Sequence, residues 1–322
     1  MSAGQPCAGT GGLGKKFEIG LGFFGACVAN VAVVELTMVD SPCGVEVVSP
    51  VLYGQVPGQP VWEGGLYLDL FLPSPHPPSG APAVLYLHGG GWRSGDRSYG
   101  MYPWHAPILA ANGFVVASAS YRFSDVAPFP AQLHDVKAAV RWLRANATSY
   151  GIDSDRIGVW GDSAGGHLAG LLATTADRAD LEGDCGSPGW SSRVQSAVAR
   201  CAPTDFRTFL PEDPWAAAVL NSLFGGPPAT TAQLRKLASP LLHVSPESAP
   251  FLIVHGSRDE TVPVEQARTM AEELRAHKVD VILHEIEGVF HNLTSDIDPP
   301  WGSEPWADLS GLTLEHFRRT LT

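Results

Sequence analysis

Basic residues are scarce in this chain of 322 residues. Only 21 Lys and Arg stand against 33 Asp and Glu, which gives a formal net charge of −12. Nucleic acids and anionic membrane surfaces are bound through concentrated positive charge, and neither the total nor any local cluster supplies it. We therefore expect no nucleic-acid partner.

Cysteine is also scarce, and recognisable metal or nucleotide motifs are missing. The sequence has no HExxH motif, no Cys-pair zinc pattern and no dinucleotide fingerprint, so it predicts no metal and no cofactor. The five cysteines leave at least one unpaired. A disulfide between Cys185 and Cys201 and two free buried thiols both stay open, and with them the redox compartment.

A clean leader peptide is missing at the N-terminus. The mostly apolar run from Phe17 to Val34 follows two lysines, as in a signal peptide, but Glu18 and Asn30 interrupt it and no small-x-small cleavage site follows. We expect residues 1–45 to form an ordered N-terminal arm rather than a cleaved leader or a membrane span. A cytoplasmic location is favoured over a secreted one, and a homo-oligomer stays open.

One short run carries the strongest chemical signal. Gly161-Asp162-Ser163-Ala164-Gly165-Gly166 lies between a strand-like segment, Ile157 to Trp160, and a helix-like one, Leu168 to Thr174. The Gly-x-Ser-x-Gly pattern in a strand–turn–helix setting is typical of a nucleophile elbow, a strained turn that exposes the serine hydroxyl. Small neighbours are needed there because the backbone is close on both sides. Ser163 is the predicted nucleophile.

A glycine run lies upstream of the elbow. Ala83 to Leu87 reads as a buried strand and leads into His88-Gly89-Gly90-Gly91-Trp92. No Gly-Lys-Ser/Thr follows, which argues against a phosphate-binding loop. Consecutive glycines let peptide N–H groups point into a cavity, where two of them and the N–H of Ala164 would stabilise an oxyanion.

A nucleophilic serine needs a base and an acid, and both follow in the expected chain order. The strand-like segment Pro250 to Gly256 leads to Asp259, the better candidate acid, with Glu260 as runner-up. The next strand-like segment leads to His291, which alone among the eleven histidines satisfies both order and position for the base.

These motifs together resemble those of the α/β-hydrolases, in the hormone-sensitive-lipase-like esterase group with its bacterial carboxylesterase and acetyl-xylan and feruloyl esterase-like branch. The resemblance covers roughly residues 50–322 and includes Tyr121-Arg122 besides the motifs above. It implies a mostly parallel central sheet flanked by helices. It also implies that Gly90 and Gly91 donate to the oxyanion together with Ala164.

Segment lengths and composition predict the domain organisation. Strands alternate with helices such as Ala131 to Tyr150, which predicts an α/β domain over residues 46–322. The aromatic- and proline-rich segment 203–248 interrupts this alternation and predicts a small helical cap, the alternative being a surface insertion without substrate contact. The candidate pocket residues are Trp92, Trp160, Phe206 and Trp215.

The sequence therefore predicts a serine carboxylic-ester hydrolase that acts on small-molecule esters with short acyl chains. A carbohydrate acetyl or feruloyl esterase and an aryl-formamidase or amidase would use the same residues, so these alternatives stay open. A non-catalytic receptor on the same fold is disfavoured because the predicted nucleophile and base are both present.

Overall fold

The computed structural model describes residues 37–322, apart from 42–43, 76, 78, 99–101, 177, 292 and 294–304. Most of the predicted N-terminal arm, residues 1–36, lies outside these residues. Within them, no helix is both long enough and apolar enough to cross a membrane.

The core of the fold is one twisted sheet, which has nine strands within the described residues, in the order β1-β2-β3-β5-β4-β6-β7-β8-β9. The strands are β1 (Thr37–Ser41), β2 (Val45–Gln55), β3 (Gly65–Pro73), β4 (Ala81–Leu87), β5 (Val115–Ala119), β6 (Ile152–Asp162), β7 (Ser196–Arg200), β8 (Phe251–Gly256) and β9 (Val281–Ile286).

Strand direction divides the sheet into two parts. Strands β1, β2 and β3 pair antiparallel, and β3 pairs antiparallel with β5. From β5 onward every pair is parallel, through β4, β6, β7 and β8 to β9. The prediction of a mostly parallel sheet is thus confirmed, and the carboxyl ends of the parallel strands meet at one edge, where such sheets place their sites.

Helices cover both faces of the sheet. They are α1 (Val61–Gly64), α2 (Tyr102–Ala111), α3 (Ala131–Ala145), α4 (Ala164–Thr174), α5 (Pro214–Phe224), α6 (Pro228–Leu237), α7 (Glu265–Ala276) and α8 (Pro305–Leu321). Short 3₁₀ helices span Ala147–Tyr150, Ala179–Leu181 and Pro240–His243.

Successive residues of a central strand bury themselves on opposite faces, because side chains alternate along a strand. Leu85 and Val159 belong to the larger core, together with α3, α4 and α7. Val84 and Trp160 belong to the second core, which contains residues of α2 and α8. Burial on both faces explains why β4 reads as a continuous apolar run.

Two predicted boundaries differ from the structure. Thr37–Ser41, within the predicted arm, is the edge strand β1 and pairs with β2. The predicted helix Ala131 to Tyr150 ends at Ala145 and continues as a 3₁₀ turn over Ala147–Tyr150. The apolar spacing does not reveal this change, because a single 3₁₀ turn at the end of an α-helix is common and too short to alter the spacing.

The segment 203–248 forms two helices and a 3₁₀ turn between β7 and β8. Helix α5 begins at Pro214. The side chain of the preceding residue, Asp213, caps the helix by accepting a hydrogen bond from the N–H of Ala216 at 2.8 Å. It ends at Gly225, which has a φ of 69°. An acidic N-cap, a proline in the first turn and a glycine just past the end are the expected signals for such a helix.

Candidate active site

Ser163 stands on a sharp turn between β6 and α4. Its φ of 54° and ψ of −116° lie in a region that side-chain-bearing residues rarely adopt. A Cβ on Gly165 would lie 2.0 Å from the carbonyl oxygen of Leu87, so only glycine fits there. The N–H of Ser163 donates to the carbonyl of Arg200 at 2.8 Å, which holds the turn against β7. The local pattern thus forms the predicted strained turn.

His291 connects Ser163 to Asp259. Its Nε2 lies 2.9 Å from the Oγ of Ser163, and its Nδ1 lies 2.7 Å from Oδ2 of Asp259. These residues are 128 and 32 positions away from His291 in the chain, yet the strand ends bring them together. A hydroxyl bonded to an imidazole that is bonded to a carboxylate is the arrangement that activates a serine.

Asp259 is buried and fully engaged. Its Oδ1 accepts the N–H groups of Thr261 and Val262 at 2.9 and 2.8 Å. Its Oδ2 faces both His291 and the Nε2 of His255, the latter at 3.1 Å. Burial alone would raise the pKa of Asp259, but the hydrogen bonds from the two histidines and the backbone outweigh it and lower the pKa well below its ordinary value. The carboxylate therefore stays ionised.

The neighbouring acid occupies a different environment. Glu260 is exposed, whereas Asp259 is buried against the imidazole. The structure thus brings Asp259, and not the runner-up, to His291.

The glycine run forms a tight turn beside the serine. Gly90 and Gly91 have φ values of 113° and 60°. The carbonyl of Gly90 accepts the N–H groups of Arg93 and Ser94, both at 3.1 Å. A Cβ on Gly90 would lie 2.2 Å from the carbonyl oxygen of Ser94, so this turn requires glycine.

His88 holds the start of this turn. Its Nδ1–H donates to the carbonyl of Gly89 at 2.7 Å, and its ring stacks on Tyr121 at 4.4 Å between centroids. The hydroxyl of Tyr121 donates to the carbonyl of His88 at 2.8 Å. Burial lowers the pKa of His88, so the imidazole is neutral and supports the loop instead of carrying charge.

Helix α4 begins at Ala164, directly after the serine, and no side-chain cap bonds its first N–H groups. The N-terminus of a helix presents N–H donors and a partial positive charge. The glycine turn is also close to the serine, since a Cβ built on Gly89 would lie 3.5 Å from the Cβ of Ser163. Both sets of backbone N–H groups are therefore near Ser163.

A cavity of about 690 Å³ opens over the serine. Of the predicted pocket residues, Trp92 and Trp215 line it, together with Gly90, Gly91 and His291. Its other lining residues are Tyr86, Gly89, Arg93, Ser94, Asp162, Ser163, Cys201, Pro203, Phe209, Ala216, Val219, Leu220, Thr261, Val262 and Leu293.

Two predicted pocket residues do not line this cavity. Trp160 is 1% exposed and packs in the second core beneath the sheet, because it alternates with Val159 along β6. Phe206 is fully buried behind Trp92, with 5.9 Å between ring centroids. Both predictions were wrong, since Trp160 supports the sheet and Phe206 supports the wall of the cavity from behind.

Sequence reasoning missed several lining residues. Val219 and Leu220 lie on α5, whose helical period could have indicated an apolar face. Cys201 follows the end of β7, at the same sheet edge as the serine. Position after a parallel strand was the one available signal for it. Cys185 and Cys201 are both buried and free, so they form no disulfide.

Comparison with known proteins agrees with this geometry. A family model described as BD-FAE matches residues 68–274, more than half of the chain. The chain belongs to the BD-FAE family. The resemblance to hormone-sensitive-lipase-like α/β-hydrolases expected from the motifs is thereby confirmed.

Esterase LipC of Mycobacterium tuberculosis is similar to this BD-FAE family chain. The two are 34% identical over 232 residues, which is 70% of this chain and 54% of LipC. The chain spans about half the length of the curated relatives it matches first.

Solved structures of two esterases share the fold. A truncated carbohydrate esterase from gut microbiota superposes with a TM-score of 0.71 at 26% identity, covering 84% of this chain and 96% of the other. Esterase 2 of Thermogutta terrifontis, bound to propionate, gives a TM-score of 0.68 at 26% identity, covering 84% and 93%.

Proposed function

We propose that this chain is a serine carboxylic-ester hydrolase that acts through an acyl-enzyme. The observation that carries the proposal is the hydrogen-bonded series from Ser163 through His291 to Asp259 at the wall of the cavity. Membership of the BD-FAE family and similarity to named esterases support it.

Each residue of the series has one role in the proposed reaction. The Nε2 of His291 accepts the Ser163 proton as the hydroxyl attacks the ester carbonyl, and then donates it to the leaving alcohol. Asp259 accepts a hydrogen bond from the Nδ1–H of His291, which fixes the tautomer and stabilises the charged imidazolium. Water activated by His291 then cleaves the acyl-enzyme.

The oxyanion of the tetrahedral intermediate would be held by backbone N–H groups of Gly90, Gly91 and Ala164. Their support is positional, because the glycine turn and the start of α4 flank Ser163. Donors fixed in place before the reaction stabilise developing charge at little reorganisation cost.

The domain assignment follows the same geometry. We assign residues 46–322 to one catalytic domain, with segment 203–248 as its cap. The cap contributes Phe209, Trp215, Val219 and Leu220 to the cavity wall. Apolar side chains in this wall favour substrates with short acyl chains, since a pocket rejects added volume by steric clash and lost packing.

A carbohydrate ester is the second candidate substrate. Trp215 is 67% exposed at the rim of the cavity, so its indole face is available to a flat ring in the alcohol part of a substrate. The similarity to a structure named as a carbohydrate esterase points the same way. Amide substrates would use the same residues.

The decisive experiment compares the full chain with Ser163→Ala on p-nitrophenyl esters, acetylated xylan and methyl ferulate. Loss of the nucleophile should lower turnover by on the order of 10⁴ to 10⁶ while the circular dichroism spectrum is kept. Ser149→Ala, at an exposed serine that does not line the cavity, is the matched control. Ser163→Ala that retained more than about a tenth of the activity would overturn the proposal.

A further inference from the structure

Cys201 holds an unusual position behind the imidazole. It follows β7, and its φ of 46° is rare for a residue that carries a side chain. The residue is 2% exposed, yet it borders the catalytic cavity. Strained backbone conformations cluster at functional sites, where the surrounding structure maintains them.

The thiol lies beside two residues of the proposed catalytic series. One ligand atom from each of Cys201, Asp259 and His291 lies within 4.8 Å of the other two. Within the part of the chain that the structure describes, this is the only group of three such side chains. Thiolate sulfur, imidazole nitrogen and carboxylate oxygen are each ligands that zinc binds in proteins.

The geometry needs only small adjustments to accept a metal ion. Zinc binds sulfur at about 2.3 Å and nitrogen or oxygen at about 2.0–2.2 Å, in a tetrahedron. Ligand atoms in such a site are therefore about 3.3–3.8 Å apart. The sulfur of Cys201 would approach by up to about 1.5 Å, and Nδ1 of His291 and Oδ2 of Asp259, now 2.7 Å apart, would separate by about 0.6 Å.

We propose that Cys201, Asp259 and His291 form an inhibitory site for Zn²⁺ or Cd²⁺, in which the metal takes the place of the Nδ1 proton of His291. The carboxylate oxygen Oδ2, which in the metal-free protein accepts the hydrogen bond from Nδ1–H, becomes a ligand together with the sulfur of Cys201. Oδ1 keeps its two backbone N–H donors, so Asp259 need not leave its turn.

Protons balance in this step. The imidazole keeps one proton, which moves from Nδ1 to Nε2, and the Cys201 thiol releases one proton to solvent as the metal–sulfur bond forms. Burial raises the pKa of the Cys201 thiol well above its ordinary value, so the metal-free thiol is protonated at neutral pH. One proton is released for each metal ion bound.

The inhibition follows from the new tautomer. Nε2 lies 2.9 Å from the Oγ of Ser163 and must be unprotonated to accept the serine proton. With a metal on Nδ1, Nε2 carries hydrogen and the serine has no base. This consequence rests on the proposed esterase function, whereas metal binding itself does not.

A purely structural role for Cys201 makes a different prediction. The residue also belongs to the second core, together with Leu293 and Val289, where a small apolar group would suffice. In that case its replacement by alanine would leave the response to metal unchanged.

The activity test compares hydrolysis with and without Zn²⁺ for each variant, so any change in basal rate cancels. We expect wild-type activity to fall at least tenfold with Zn²⁺ and to return when EDTA is added. Cys201→Ala should need a Zn²⁺ concentration at least roughly 100-fold higher for the same inhibition. Cys185→Ala removes the other buried free thiol and should respond as wild type. Equal inhibition of Cys201→Ala and wild type, or no inhibition of wild type, would overturn the proposal.

A spectroscopic test keeps the proposal separable from catalysis. Co²⁺ added to Ser163→Ala, which cannot hydrolyse esters by the proposed route, should give thiolate-to-metal charge-transfer absorption in the near ultraviolet. The further substitution Cys201→Ala or His291→Ala should remove that absorption, and Cys185→Ala should leave it. Absorption that persists without Cys201 would refute the site even if the esterase assignment stands.

Discussion

The indole N–H of Trp92 donates to Nδ1 of His167 at 3.2 Å, inside the protein. On its other side, Nε2–H of His167 donates to the carbonyl of Ala238 at 2.7 Å. One imidazole thus ties the glycine turn, helix α4 and the end of α6 together. Both bonds require the neutral ring, since Nδ1 must accept while Nε2 donates.

Acid should therefore destabilise the fold through His167. Burial lowers the pKa of His167 from 6.5 to about 4. The unfolded chain binds this proton near pH 6.5 and the folded chain only near pH 4, so stability falls as the pH drops between these values. The loss from this residue is about 2 kcal/mol between pH 7.5 and pH 5.

Thermal unfolding at pH 7.5, 6 and 5 measures this effect. His167→Gln should lower stability at pH 7.5 and flatten the dependence on pH, because Gln does not titrate. Ser149→Ala, at an exposed residue that does not titrate, should keep the wild-type slope. An unchanged slope in His167→Gln would show that other groups carry the acid sensitivity.

Substitutions at the two neighbouring acids should separate their roles. Asp259→Asn keeps the size but removes the charge that orients His291, and we expect kcat to fall by about 10⁴. His291→Ala should be nearly as damaging as loss of the serine, because members of such a series act as a unit. Glu260→Gln, at the exposed neighbour, should stay within about twofold of wild type.

Steady-state kinetics with one p-nitrophenyl ester measure all three variants, with circular dichroism to check folding. The assignment fails if Glu260→Gln loses activity while Asp259→Asn keeps it.

Gly90→Ala should impair catalysis by displacing the glycine turn. The added Cβ would meet the carbonyl oxygen of Ser94 at 2.2 Å, so the turn and its N–H groups must shift. Loss of an aligned oxyanion donor lowers kcat by about 10²- to 10³-fold.

Gly113→Ala is the matched control for backbone strain. Gly113 also has a positive φ, +90°, but a Cβ there has nothing within 4 Å. It should destabilise the fold by about 1 kcal/mol and leave kcat unchanged. Equal kcat values for the two variants would argue against a role of Gly90 at the oxyanion.

Acyl-chain preference should follow the wall formed by α5. We expect acyl chains of roughly two to six carbons to be favoured, so that kcat/KM is higher for p-nitrophenyl butyrate than for the laurate. Val219 is buried on α5 and lines the cavity, so its side chain narrows the space for the acyl chain. Val219→Ala should raise the rate on laurate relative to the rate on butyrate. Val126→Ala, at an exposed valine outside the lining, should not. Faster hydrolysis of laurate by the wild type would instead indicate a lipase whose segment 203–248 opens.

The sequence by itself determined the features that depend on neighbours in the chain. The strained turn at Ser163 and the glycine turn at Gly90 each need small residues at adjacent positions, so both could be predicted. The alternation of strands and helices predicted the parallel sheet for the same reason, since hydrophobic period is a local property.

Only the tertiary structure decided what reaches the cavity. Trp160 and Trp92 both lie near a strand end, but alternation along β6 places the Trp160 side chain on the face of the sheet away from the cavity. The sequence does not say which face of a strand borders the cavity. Cys201 gives no motif, yet parallel pairing of β6, β7 and β8 brings it beside His291. Contacts between distant segments depend on strand order and register, which no local pattern specifies.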